Sequence, residues 1–250
     1  MDFETYINNI SFLFFQPEDP IPARYKTIER GLKRIQFSLE FINTRLPQTD
    51  TEIVHGIKKL CFIPKLSTFA IGLMINKAVS LMPDEEMYLN IGVWNGFTYF
   101  SGLINNRKKW CTGVDNFSEE YFSELEPPRD QFFNRFQVLR GNRHSFFDTN
   151  YREYFASLEK DERKIGVFYY DGAHDYTSQY QALVLAEPFL SPTAVIFIDD
   201  INWDDPERAT LQFLRDSPNR YSIIYHRKTA GNEHPTLWNG LMIISRKSGS

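Results

Sequence analysis

The sequence predicts an α/β fold, because strand-length apolar runs alternate with helical segments from residue 87 onward. Two of these runs, VFYY and AVIFI, are apolar almost throughout, which indicates strands buried on both faces of a parallel sheet. The last two strand-like runs have no helix between them, so they are expected to be antiparallel neighbours. Together these features predict a Rossmann-like, doubly wound sheet of mostly parallel strands with a C-terminal antiparallel hairpin, preceded by a helical N-terminal extension.

The composition is that of a folded protein that does not bind nucleic acid. The 250 residues are 42% hydrophobic and 16% aromatic, which is enough for a large core. The net charge is −4, and Lys and Arg are scattered, so we expect no basic surface for phosphate groups. The start, MDFETYINN, does not have the pattern of a signal peptide.

Neither a membrane span nor a disulfide framework is expected. The most apolar helical stretch, residues 66–82, contains Lys77 and is shorter than a bilayer requires. Cys61 and Cys111 are the two cysteines, too few for a disulfide framework or a cysteine metal cluster. We therefore expect a cytoplasmic protein without a membrane partner.

Residues 1–82 are predicted to form the helical extension. After the proline-rich stretch QPEDPIP, one amphipathic helix is expected over about residues 24–45, and another over 66–82 leads to the first strand. We expect the extension to cover the bound ligand, to form part of a substrate pocket, or to join two copies of the chain in a homo-oligomer.

Residues 83–246 are predicted to form the sheet domain, and 247–250 a tail without function. The crossover helices are placed at residues 98–104 and 177–190, and a further helix begins near Asp205. The predicted strands are 87–91, 110–114, 135–139, 165–170 and 194–198, followed by the hairpin strands 221–226 and 237–245.

The first strand runs into a glycine turn, NIGVWNGFT. Ligands of open α/β sheets lie outside the carboxyl ends of the strands, where Gly92 and Gly96 would allow the backbone to approach. A dinucleotide fingerprint needs further glycines where this chain has Trp94 and Phe97, so NAD and FAD are disfavoured. The same Gly-x-x-x-Gly spacing also occurs at ordinary tight turns between a strand and a helix.

Three carboxylates are expected at one edge of the sheet. Asp171 follows the fourth predicted strand, and Asp199 and Asp200 follow the fifth. Neighbouring strands lie about 4.8 Å apart, so these groups would repel one another and raise one another's pKa. A bound Mg²⁺, or another hard divalent ion such as Ca²⁺ or Mn²⁺, would relieve that repulsion. Alternatively, the aspartates are turn residues that accept hydrogen bonds from loop amides.

The glycine turn resembles the first motif of S-adenosylmethionine-dependent methyltransferases, whose class I sheet also ends in a hairpin. Gly92 and Gly96 match the motif, and Asn90 stands where the family has an acid that helps hold the methionine part of the cofactor. The resemblance implies that Asp115, in GVDNF, binds the ribose hydroxyls. It also implies that Asn142, in RGNRHSF after the third strand, faces the adenine.

The segments DGAHDY and LSPTAVIFIDD resemble a subgroup, the metal-dependent O-methyltransferases of the catechol and macrolide-sugar types. The resemblance implies that Asp171, Asp199 and Asp200 hold Mg²⁺ and that Asp171 also belongs to the cofactor site. His174, three residues after the first metal ligand, takes the place of the general base. The implied acceptor is a hydroxyl of a small molecule: a sugar, a natural product or a catechol-like compound.

Other interpretations remain open at this stage. A related subgroup consists of metal-dependent hydroxylases, but only one histidine lies near the carboxylates, short of the two-histidine pattern of redox iron sites. A non-catalytic cofactor-binding or scaffold protein would be consistent with Asn90 in place of the acid. His174 would then cap a helix, and the other four histidines are interpreted as surface or packing residues.

Overall fold

A computed structural model describes residues 1–118, 127–159 and 163–247. The extension is mainly helical and contains one small two-stranded antiparallel sheet, in which β1 pairs with β2. Its elements are α1 (Phe3–Asn8), β1 (Ser11–Phe12), α2 (Tyr25–Lys33), α3 (Leu39–Asn43), β2 (Thr44–Arg45), α4 (Thr51–Leu60) and α5 (Phe69–Leu81).

The single helix predicted over about residues 24–45 is wrong, because the chain turns between α2 and α3. Gln36 has a left-handed backbone conformation with φ of 55°, which an α-helix cannot contain. Ser38 then begins α3 by accepting a hydrogen bond from Glu40 N. The apolar stripe that suggested one helix does not face the core, since Ile35 is 74% exposed.

The main sheet has seven strands in the order β5-β4-β3-β6-β7-β9-β8. The first five are parallel, β9 is antiparallel to β7, and β8 is antiparallel to β9. This arrangement confirms the predicted fold class. The strands are β3 (Met87–Ile91), β4 (Trp110–Asp115), β5 (His144–Asp148), β6 (Ile165–Tyr170), β7 (Leu190–Asp199), β8 (Tyr221–Arg227) and β9 (Leu241–Arg246).

Helices connect the parallel strands and lie on both faces of the sheet. Buried residues of α5 and α6 pack on one face, and those of α8, α9 and α10 on the other. The helices of this part are α6 (Phe97–Leu103), α7 (Pro128–Leu139), α8 (Tyr151–Ser157), α9 (Tyr176–Ala186) and α10 (Asp204–Asp216), with a 3₁₀ turn at Glu187–Phe189.

The third predicted strand, 135–139, is wrong: these residues form the end of α7, and the strand is His144–Asp148. Phe132 and Phe136 are four residues apart, so they share one face of a helix, and both are buried with ring centroids 5.7 Å apart. Val138, read as part of an apolar strand, is 82% exposed. The hydrophobic period here is that of a helix.

The C-terminal hairpin is confirmed, but its second strand starts four residues later than predicted, at Leu241. His234 and Trp238 exchange two backbone hydrogen bonds and close a turn there. Gly240 follows with a left-handed φ of 85° and leads the chain into β9. The segment 228–240 is therefore a folded loop.

The extension and the sheet share one hydrophobic core, which contains buried residues of α1, α5, β3 and β7. The rings of Phe3 and Phe197 are 5.9 Å apart and join α1 to the sheet. Among the described residues, no helix is both long enough and apolar enough to cross a bilayer. Residues 248–250 of the predicted tail lie outside the described residues.

Candidate active site

The glycine turn after β3 is built so tightly that both predicted glycines are required. Gly92 and Gly96 have left-handed φ angles of 79° and 95°. A Cβ atom on Gly92 would lie 1.9 Å from the carbonyl oxygen of Asp171, and one on Gly96 would lie 2.2 Å from the Phe100 ring. The turn therefore packs directly against the start of the loop that follows β6.

A cavity of about 760 Å³ opens outside the carboxyl ends of β3, β4 and β6. Its walls include Ser67 from the segment before α5, Gly92 and Trp94 from the turn, Asp115 after β4, and Asp171 after β6. This is the edge at which ligands of α/β sheets bind, and the volume is within the range of small-molecule and cofactor sites. The cavity thus joins the glycine turn to the first predicted metal ligand.

Asp115 fixes the loops around the cavity. Its two carboxylate oxygens accept hydrogen bonds from Trp94 N at 2.8 Å and from Phe117 N at 2.7 Å. The side chain therefore holds the glycine turn to the end of β4. Binding of a ribose by Asp115 stays a prediction.

Asn90 is fully buried in β3. Its Oδ1 accepts a hydrogen bond from Thr98 Oγ1 at 3.2 Å. Its Nδ2 has no partner within the part of the chain that the structure describes. Asn90 thus places an unused donor, and no charge, behind the glycine turn.

Asn142 does not follow the third strand, so that part of the prediction is wrong. It lies in the turn before β5, at the amino ends of the strands and away from the cavity. The residues that do follow β5 and line the cavity are Thr149 and Asn150. The helical spacing of Phe132 and Phe136 is the sequence signal that would have placed the third strand after residue 139. Thr149 and Asn150 would then have been identified as the residues that follow it.

The residues that follow β6 and β7 are adjacent, because these two strands are neighbours. β6 and β7 are parallel neighbours, with Tyr170 opposite Ile198, so Asp171 and Asp199 lie side by side. Asp200 has a left-handed backbone with φ of 58°, which is uncommon for a residue other than glycine. This turn directs the Asp200 side chain differently from that of Asp199.

Asp171, His174 and Asp200 form one group. Nε2 of His174 lies 2.5 Å from Oδ2 of Asp200 and 3.5 Å from Oδ1 of Asp171. One ligand atom from each residue lies within 4.8 Å of the others, so the three together could hold a metal ion. Carboxylate oxygens with one imidazole nitrogen form a donor set that suits a divalent ion such as Mg²⁺ or Mn²⁺.

The protonation states of this group depend on one another. Burial raises the pKa of Asp171 to about 6, although the hydrogen bond with His174 acts in the opposite direction. Burial lowers the pKa of His174, but hydrogen bonds with Asp171 and Asp200 outweigh it and raise the pKa to about 10. Without a metal ion, His174 therefore carries a proton at neutral pH.

The side chain of Asp199 lies apart from this group. It accepts hydrogen bonds from the hydroxyl of Tyr169 and from Asp200 N, the latter at 2.9 Å. Burial, together with the charges of Asp200 and Asp171, raises the pKa of Asp199 well above its usual value. The role of Asp199 as a metal ligand stays a prediction, which this arrangement does not favour.

Two further residues contact this group and were not among the predicted site residues. Asn239 Nδ2 donates to Asp200 Oδ1 at 2.5 Å, from a loop 39 residues further along the chain. The Trp203 ring stands edge-on to the His174 ring with centroids 4.8 Å apart, and it is 41% exposed. Trp203 follows Asp199-Asp200 closely in sequence, so its proximity to the aspartates could have suggested it.

Residues 89–201, which contain the glycine turn and all three aspartates, match the family model described as a methyltransferase domain. This segment of the chain is therefore similar to methyltransferase domains. No curated protein sequence matches the chain. The family match agrees with the resemblance read from the glycine turn and from the strand order.

Solved structures share the fold of this chain at low sequence identity. A provisionally assigned O-methyltransferase from Klebsiella pneumoniae is 12% identical, with a TM-score of 0.55 over 90% of this chain and 98% of that one. An O-methyltransferase from Bacillus cereus in complex with SAH is 11% identical, with a TM-score of 0.55 over 89% and 98%. A cofactor-bound protein from MTB is 13% identical, with a TM-score of 0.51 over 91% and 92%. These likenesses concern the fold.

Proposed function

We propose that the protein transfers the methyl group of S-adenosylmethionine to a hydroxyl of a small molecule, assisted by a divalent metal ion. The observation that carries this proposal is the position of Asp171. Its carbonyl oxygen packs against Gly92 of the turn, whereas its carboxylate belongs to the group with His174 and Asp200. A cofactor at the turn and a hydroxyl at the acid–base group would thus be neighbours.

The cofactor would occupy the cavity beside the glycine turn. When bound, S-adenosylmethionine supplies an electrophilic methyl group on a sulfonium centre. Gly92 allows close approach of the backbone, and Asp115 lies where a carboxylate can accept hydrogen bonds from ribose hydroxyls. The SAH complex of the similarly folded Bacillus cereus protein supports this choice of cofactor.

His174 would accept the proton of the acceptor hydroxyl. When Asp171 and Asp200 are its only partners, His174 has a pKa of about 10. It is then already protonated at neutral pH and cannot act as a base. When bound, a divalent ion supplies positive charge that offsets these carboxylates and stabilises an alkoxide. Asp171 and Asp200 would hold this ion and His174 would not, so its imidazole would lose the partners that raise its pKa and become a neutral base near physiological pH.

The acceptor would lie beside the contacting rings of His174 and Trp203. The exposed Trp203 ring offers an apolar face beside the base, onto which a sugar or catechol ring could pack. Positioning of the hydroxyl against the methyl group is the main requirement of such a transfer. We propose a sugar, a natural product or a catechol-like compound as the acceptor.

Calorimetric titration of S-adenosylhomocysteine into the protein, with and without Mg²⁺ or Mn²⁺, tests the cofactor and the metal. Binding of Mn²⁺ should weaken in Asp200→Asn and remain in Asp204→Asn, an exposed neighbour that serves as the matched control. Methyl transfer is then measured from S-adenosylmethionine to sugar and catechol acceptors. Absence of S-adenosylhomocysteine binding would refute the proposal, and binding without transfer to any acceptor would favour a non-catalytic role.

A further inference from the structure

A buried ion pair joins the extension to the wall of the cavity. Lys65 Nζ lies 2.8 Å and 3.1 Å from the two carboxylate oxygens of Glu40, and the side chains are 4% and 7% exposed, respectively. Burial would lower the pKa of Lys65, but Glu40 raises it above its usual value, so the ammonium stays charged at neutral pH. Buried pairs lose much of their attraction to desolvation, and stability alone is therefore a weak reason for this one.

The pair fixes the short segment 65–67 and the start of α5. Lys65 Nζ also donates a hydrogen bond to the carbonyl oxygen of Ser67. Glu40 Oε2 accepts a hydrogen bond from Phe69 N, the first residue of α5, at 2.7 Å. Thr68 lies between them and donates to the carbonyl oxygen of Thr236 at 2.8 Å. The backbone of Ser67 is thus held on both sides.

Ser67 is the residue that this framework presents to the cavity. It lines the cavity and is 2% exposed. Its hydroxyl has no hydrogen-bond partner among the residues described. Buried hydroxyls are normally paired, so an unpaired one at a cavity wall indicates a missing partner.

The ammonium of the Glu40–Lys65 ion pair lies close to the glycine turn. The Lys65 ammonium is 5.3 Å from the ring centroid of Phe97, the residue after Gly96 in the glycine turn. Lys65, Ser67 and Phe97 all line the cavity. The unpaired Ser67 hydroxyl can donate a hydrogen bond, and a carboxylate is the strongest acceptor that a ligand such as S-adenosylmethionine carries.

We propose that Ser67 binds the carboxylate of the cofactor's methionine part, and that the Glu40–Lys65 pair is the device that positions it. This inference rests on the proposed function. Lys65 is a positioning residue, because its hydrogen bonds go to Glu40 and to the carbonyl of Ser67. The extension would thereby select cofactors that carry the amino-acid carboxylate.

The test compares two ligands that differ in the amino-acid part. S-adenosylhomocysteine has the carboxylate, and 5′-methylthioadenosine lacks the whole amino-acid portion. Their dissociation constants are measured by calorimetry for the wild-type protein, Ser67→Ala and the double variant Glu40→Gln with Lys65→Met. The double variant removes both charges, so neither is left buried without its partner.

We expect both variants to bind S-adenosylhomocysteine about tenfold or more weakly, the usual effect of losing a hydrogen bond to a charged group. Binding of 5′-methylthioadenosine should change by less than about twofold, because this ligand has no carboxylate for Ser67 to bind. Lys58→Met is the matched control, since Lys58 also lies over an aromatic ring, 5.2 Å from the Phe41 centroid, but does not line the cavity. It should bind both ligands as the wild type does.

Equal weakening of both ligands would show that the pair only supports the fold and would overturn the inference. Unchanged binding of S-adenosylhomocysteine by Ser67→Ala would overturn it as well, and this variant removes no charge from the core. A wild-type protein that binds neither ligand would instead refute the proposed function, on which the inference depends.

Discussion

Nε2 of His174 lies 2.5 Å from Oδ2 of Asp200, so the residue proposed to accept a proton is already bound to a carboxylate. Asp171 lies 3.5 Å from the same nitrogen. This arrangement keeps the proton on His174 in the absence of a metal ion, because two negative groups stabilise the imidazolium.

The first prediction concerns the stability of the metal-free protein at alkaline pH. The pKa of His174 is raised to about 10 in the folded chain, against about 6.5 in an unfolded chain. Its contribution is complete below pH 6.5 and is lost as the pH rises through 10, because only the folded state holds the proton in between. The free energy of unfolding should fall by up to about 1.4 kcal/mol per pH unit between pH 7 and 10.

Urea unfolding with a chelator present, at several pH values, measures this slope. In His174→Gln the slope should be shallower than in the wild type, since other groups that titrate above pH 9 are common to both proteins. Parallel pH profiles for the two proteins would contradict the assigned ion pair.

The second prediction concerns turnover. His174→Gln should lower the rate of methyl transfer about a hundredfold or more, the usual effect of losing a general base, with S-adenosylhomocysteine affinity unchanged. His226→Gln is the matched control, because His226 Nε2 also contacts a carboxylate, Glu207 Oε1 at 2.7 Å, but lies at the surface. Equal rates for the two variants would remove His174 from the mechanism.

The third prediction concerns Asn239, which donates to Asp200 from the loop before β9. Asn239→Ala leaves a buried carboxylate oxygen without its donor and should lower the free energy of unfolding by about 1–3 kcal/mol. Asn232→Ala, an exposed change in the same loop, should have an effect of less than about 0.5 kcal/mol. Chemical denaturation measures both. A loss no larger than that of Asn232→Ala would show that this hydrogen bond does not stabilise the site.

The sheet could be predicted from the sequence because its signals are local. Apolar runs such as those of β6 and β7, and the missing crossover helix before β9, indicate strand direction directly. The same reasoning failed at residues 135–139, where an apolar run belongs to a helix with one buried face. Short apolar runs fit both periods, and the buried spacing of Phe132 and Phe136 decides between them.

The candidate site was only partly predictable, for a different reason. Strand adjacency brings Asp171 near Asp200, but the left-handed turn at Asp200, which separates its side chain from that of Asp199, has no sequence signature. Contacts between segments that are distant in the chain also cannot be predicted from local sequence patterns. His234, read as a surface or packing residue, is buried and places Nε2 3.0 Å from the carbonyl oxygen of Asp19, 215 residues away. Only the folded chain shows such a contact.

The last prediction tests the glycine turn. Gly92→Ala should lower the free energy of unfolding by more than about 2 kcal/mol, because φ is 79° and the new Cβ would meet the carbonyl oxygen of Asp171 at 1.9 Å. S-adenosylhomocysteine should also bind more weakly, since relief of the clash moves the turn or Asp171. Gly231→Ala, with open space around it among the described residues, should stay within about 1 kcal/mol of the wild type. Thermal melting and calorimetry separate the two variants, and equal stability and affinity would show that the turn tolerates a side chain at Gly92.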